Sequence, residues 1–125
     1  MNSLLVFFGG GTGALARHFM ALAIKHHTQG KIFPWHTLSI NLLGALLIGI
    51  VMEILALRTQ LPEGAQFLLV TGFLGGFTTF SAFSLESSLM LERGDYTACA
   101  AYIAASVIGT IILVLAGAAA TRAVL

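Results

Sequence analysis

GFLGGFTTFSAFSLE, residues Gly72 to Glu86, decides how this chain is read. It lies inside a long hydrophobic run, yet it contains three glycines, four phenylalanines, four hydroxyl side chains and an acid. Glycines next to threonines are places where helices kink or break. In a bilayer an unpaired backbone group costs several kcal/mol, so a break survives only where protein or a water-lined cavity satisfies it. The stretch therefore predicts a helix broken at mid-membrane around Gly75, Gly76, Thr78 and Thr79, with a polar face beyond the break.

The rest of the chain supports a membrane setting. Of its 125 residues 58% are hydrophobic and 9% charged, against about 45–50% and about 25% in soluble domains. Runs of about 20 apolar residues fall at Ser3–Ile24, Thr37–Leu57, Gln66–Leu91 and Thr97–Ala120. The expected architecture is an all-α membrane protein, a single four-helix transmembrane domain over residues 1–125. The first run has neither the basic start nor the small-residue cleavage site of a secretory signal and is read as mature structure. A net charge of +1 provides no basic patch for nucleic acid. The single Cys99 has no partner in the chain for a disulfide.

With four spans, Lys25, Lys31 and Arg93 fall on one side, and Arg58 and Arg122 on the other. Orientation follows an asymmetry in such residues, and here it is nearly absent. Two oppositely oriented copies, pairing as the inverted repeats of larger transporters do, or one orientation set by other features, both satisfy the count. A four-helix chain is thin walling for an aqueous path, so oligomerisation is expected.

Polar residues fall on helix faces. Thr37, Asn41, Gly44 and Ile48 share a stripe of the second span, where Asn41 either bridges helices or lines a polar path. Tyr102, Ser106 and Thr110 form a hydroxyl stripe on the fourth. In the third, Phe77, Phe80, Phe83 and Ser84 overlap a stripe of Thr79, Phe83 and Glu86. Glu86 is either an intramembrane functional acid or a group reaching a vestibule from about 7–8 Å inside the helix end. Arg17 either snorkels to the interface or holds an anion there. Aromatic ring edges are positive, so phenylalanines among hydroxyls and an amide suit a small anion held weakly enough to leave. Freed carbonyls at the break suit a cation. FFGGGTGALARHF in the first span lacks the strand that a dinucleotide loop needs, and its glycines read as packing. His18, His26, His27 and His36 lie on helix ends or a loop, and no carboxylate or Cys partner is expected for them, so no catalytic site is predicted.

GFLGGFTTFSAFS closely resembles the third-helix signature of the Fluc (CrcB) fluoride channels. HTLSINLLGALLIG resembles their second-helix motif, and GGGTGALARH their first-helix run ending in Arg17. The resemblance implies a fluoride-selective channel, not an enzyme, acting in the inner (plasma) membrane as an antiparallel dual-topology homodimer. It implies two pores, no cofactor, and a structural sodium ion on the dimer axis held by the carbonyls of Gly75 and Thr78. Phe80 and Phe83 would be the aromatic box and Asn41 the amide donor beside it. Thr79, Ser81, Ser84, Glu86, Tyr102, Ser106 and Thr110 would belong to the pathway, with Arg17 near its entrance. The family has Thr where this chain has Ala82, which removes one hydroxyl and predicts slower conduction. The alternative is a proton-coupled small multidrug exporter, which requires an acid deep in the first span; this span has none. A non-transporting assembly subunit would explain the glycines but not the hydroxyl-lined third helix.

Overall fold

The computed structural model describes residues 1–125. Four long helical stretches run through it: α1 (Asn2–His27), α2 (Trp35–Leu57), a broken third stretch, and α5 (Tyr96–Val124). The third comprises α3, residues 64–77, and α4 (Phe80–Glu92), separated by Thr78 and Thr79. Trp35–Leu57, Gly64–Glu92 and Tyr96–Val124 are each long and apolar enough to cross a membrane. α1 matches them in length, but its glycines together with Arg17 and His18 dilute its apolar character.

The helices pack as two glycine-mediated pairs. α1 lies along α3: a Cβ on Gly13 would collide with the Phe73 carbonyl, and one on Gly9 with the Leu68 carbonyl. α2 lies along α5 by reciprocal approach, Gly49 meeting the Val114 carbonyl and Gly117 the Leu46 carbonyl. Small residues at such crossings let backbones gain dispersion contacts, which lipid does not otherwise reward. At one end of the second pair, Arg122 Nε reaches Glu53 Oε1 at 3.2 Å and ties α5 to α2.

Only 20 of the 125 residues are buried, and rows of large apolar side chains on α1 and α5 face outward. In lipid this is no penalty, because acyl chains are as apolar as leucine. The small core joins α2, α4 and α5 through Leu38, Phe83, Met90, Cys99 and Tyr102. Just past the end of α4 and its C-cap Arg93, Gly94 has a positive φ of 80°, which suits glycine. There Asp95 N donates to the Met90 carbonyl at 2.9 Å and Gly94 N to the Leu91 carbonyl at 3.1 Å, which closes the last turn as a Schellman motif.

The third stretch corrects one expectation. Gly72, Gly75 and Gly76 are themselves helical, and the chain departs from helix only at the threonines. The glycines instead permit close approach, Gly72 against Gly9 and Gly76 against the Gly10 carbonyl. A second feature had no signal in the sequence: Phe67–Leu74 is wound as a π-helix, a wide coil frequent at functional sites.

Tight crossing makes a prediction for α2. Gly49→Val should lower the stability of the detergent-solubilised protein by about 1–3 kcal/mol, as overpacking does. Thermal unfolding measures it; an unchanged midpoint would mean that α2 and α5 do not approach so closely.

Candidate functional site

At the break, Thr78 has ψ 156° and Thr79 has φ −148°, ψ 118°. Both are extended conformations that β-branched threonine tolerates well. One α2 side chain satisfies the exposed backbone. Thr79 N donates to Asn41 Oδ1 at 2.8 Å, and Asn41 Nδ2 donates to the Thr79 carbonyl at 3.0 Å. Gly44, one turn along α2, gives room for the Thr78 methyl. The Thr78 hydroxyl donates back to the Leu74 carbonyl at 3.0 Å. Thr79 then caps α4, its Oγ1 accepting from Ala82 N at 3.2 Å, as N-cap hydroxyls do.

These bonds redirect two amides. In an unbroken helix Thr79 N would serve the Gly75 carbonyl and Ala82 N the Thr78 carbonyl. Here both go to side chains. The carbonyls of Gly75 and Thr78 thereby lose their i+4 donors, and hard oxygen atoms of this kind are what a cation such as sodium takes.

Beside the break lies a groove of about 380 Å³. Asn41, Ala45 and Ile48 line it from α2, Thr78 and Thr79 from the break, Phe80 and Phe83 from α4, and Ser106, Val107 and Thr110 from α5. The Phe80 and Phe83 rings sit 5.3 Å apart, tilted at 45°. They differ sharply in setting, for Phe83 is 9% exposed and Phe80 76%. The Ser106 hydroxyl is buried without a partner. Thr110 donates to its own helix, at 2.6 Å to the Ser106 carbonyl. One of the two amide hydrogens of Asn41 is left over after Thr79 is served.

Glu86 lies three residues beyond Phe83, about 4.5 Å along the axis. Its carboxylate receives donors from two helices. Thr37 Oγ1 donates to Oε1 and Tyr102 OH to Oε2, each at 2.7 Å. His36 Nε2 stands 3.2 Å from Oε1. Tyr102, fully buried, also packs its ring 5.2 Å from Phe83 and edge-on to Phe33 at 5.5 Å. On its far side Glu86 lines a second, polar cavity of about 360 Å³ together with Lys25, Lys31, His36 and Arg93. Phe83 and Tyr102 thus form the partition between groove and vestibule.

Of the residues expected from sequence, Asn41, Thr79, Phe80, Phe83, Ser106 and Thr110 meet at the groove, Gly75 and Thr78 at the break, and Glu86 with Tyr102 at the partition. Ser81 and Ser84 face outward, although Ser81 Oγ lies 3.2 Å from Thr79 Oγ1. Arg17 is half-buried on α1 and lines neither cavity. The expectation that His36 has no carboxylate partner is wrong, because packing of α4 on α2 brings Glu86 to it across 50 positions of sequence. Thr37 as a Glu86 donor was also missed. Its signal was the four-residue step to Asn41, which puts both on one face.

The brace is open to test. Asn41→Ala removes both bonds and leaves the Thr79 amide and carbonyl unsatisfied, a loss of about 1–3 kcal/mol per group. Asn41→Asp keeps the acceptor and should lose less. Thermal unfolding in detergent that ranks the two equally would overturn this account of the brace.

Comparison with known proteins covers nearly the whole chain. The family described as CrcB-like protein, Camphor Resistance (CrcB), matches residues 4–118. A Granulibacter bethesdensis protein named fluoride-specific ion channel FluC is 48% identical over 118 residues, 92% of each chain. Proteins of the same name from Rhizobium johnstonii and Rhodopseudomonas palustris are 43% and 42% identical, over 98% and 99% of each chain respectively. A family match over residues 4–118 and relatives 42–48% identical over 92% or more of each chain establish that the chain belongs to the CrcB-like family.

Proposed function

We propose that this chain is a fluoride-selective channel that lets fluoride leave the cytoplasm passively across the inner membrane. The observation that carries the reading is the groove, where tilted Phe80 and Phe83 rings stand beside the spare Asn41 amide hydrogen and the unpartnered Ser106 hydroxyl. Ring edges offer partial positive charge without strong donors, and the hydroxyl and amide replace part of the ion's hydration. Such a site is favourable enough to enter and weak enough to leave. The relatives' name supports fluoride as the ion.

In this reading α1 is the fourth span, and the working unit is an antiparallel homodimer with two pores. Three observations support it. Phe80 is 76% exposed although its ring borders the groove. The groove opens beside outward-facing Val107 and Ile111 of α5. The basic residues flanking the spans are nearly balanced between the two sides. A second copy covering this face closes the groove into a pore. Sodium fits the same scheme, since one chain frees two carbonyls, Gly75 and Thr78, and a twofold axis doubles the set. The ion would pin the two broken helices against each other. The exporter alternative finds no support, because α1 has no acidic residue.

The test is ion efflux from liposomes under valinomycin. Fluoride should leave and chloride should not; equal permeation of both, or of neither in this chain and in Ala82→Thr, would sink the assignment. Ala82→Thr should conduct at least as fast as this chain. Phe80→Ile should slow fluoride about tenfold, the equivalent of losing one aromatic contact of about 1.4 kcal/mol, while cross-linking still reports a dimer. Unchanged flux would remove Phe80 from the pathway.

A further inference from the structure

His36 has no part in the account so far, although it completes the donor shell of Glu86. It is the second residue of α2, next to Thr37, and its Nε2 stands 3.2 Å from Glu86 Oε1, both side chains about one-fifth exposed. The carboxylate already holds Thr37 and Tyr102 at 2.7 Å. The imidazole is therefore a third donor, and the only one of the three able to gain a full charge between pH 5 and 8. The other charged groups lining the vestibule are Lys25 from α1, Lys31 from the following loop and Arg93 from the end of α4. His26 and His27, at the end of α1, do not line it.

Resting on the channel reading, we infer that His36 is a positioning residue for Glu86 that couples fluoride entry to proton concentration. When neutral, His36 leaves the Glu86 carboxylate its full negative charge at the mouth, which offsets part of the attraction that Lys25, Lys31 and Arg93 exert on an arriving anion. When protonated, it forms an ion pair that fixes the carboxylate against α2 and α5 and cancels its charge. The mouth then presents only the field of Lys25, Lys31 and Arg93. Fluoride enters faster as pH falls.

A unit charge acting across about 6 Å of water changes the local anion concentration about threefold. Fluoride efflux from liposomes, with equal pH inside and out and with leakage of protein-free vesicles subtracted, should be up to about threefold faster at pH 5.0 than at pH 7.5. His36→Gln keeps a donor but no titration and should hold the slower rate at both pH values. His36→Lys keeps the charge and should hold the faster rate at both. Fluoride-selective flux that ignores pH in the unaltered chain, or a pH step that persists in His36→Gln, would overturn the role of His36 and leave the channel standing. Absence of fluoride flux at both pH values would overturn both.

Discussion

Two hydrogen bonds between the side chain of Asn41 and the backbone of Thr79 hold the structure's central irregularity in place. A broken helix in a bilayer exposes peptide groups that nothing in the hydrocarbon can satisfy. Here one carboxamide matches one peptide group, donor to acceptor and acceptor to donor. Everything around the break follows from that match. Thr79 becomes free to cap α4, two carbonyls lose their usual partners, and α4 swings its phenylalanines onto the groove. Gly44 belongs to the same device, because without its bare α-carbon the Thr78 methyl and α2 would compete for one space.

The division of labour along the third stretch is equally physical. Gly72 and Gly76 act before the break and face α1, where backbone meets backbone. Its threonines make the break. Beyond it, residues three apart, Phe83 and Glu86, put an aromatic ring in one cavity and a carboxylate in the next. Tyr102 couples them by packing on the ring and donating to the acid. A change on either side of this partition is felt on the other, since the same tyrosine serves both.

Much of this was legible in the sequence. Hydropathy located the helical stretches to within about one turn, because burial in lipid demands long apolar runs whatever their neighbours are. The groove was legible in part: Ser106 and Thr110 share a face of α5 by their four-residue spacing, whereas Asn41 read equally as a helix bridge or a path-lining amide. What stayed hidden depends on how helices sit against one another. Glycines next to threonines looked like one breaking unit, and only the position of α1 separates packing from breaking. His36 looked idle, because its partner arrives from another helix. The π-winding of Phe67–Leu74 leaves no compositional trace, as its residues would suit an ordinary helix equally well.

The brace also bears on how the protein is made. The bracing side chain, Asn41, lies on α2, which leaves the ribosome before α3 and α4 do. When Thr79 reaches the bilayer, Asn41 is already there to receive it. The irregular segment therefore never has to wait in lipid for a partner yet to be translated. A chain permuted to place its second helix last would lose that advantage while keeping every contact of the finished fold.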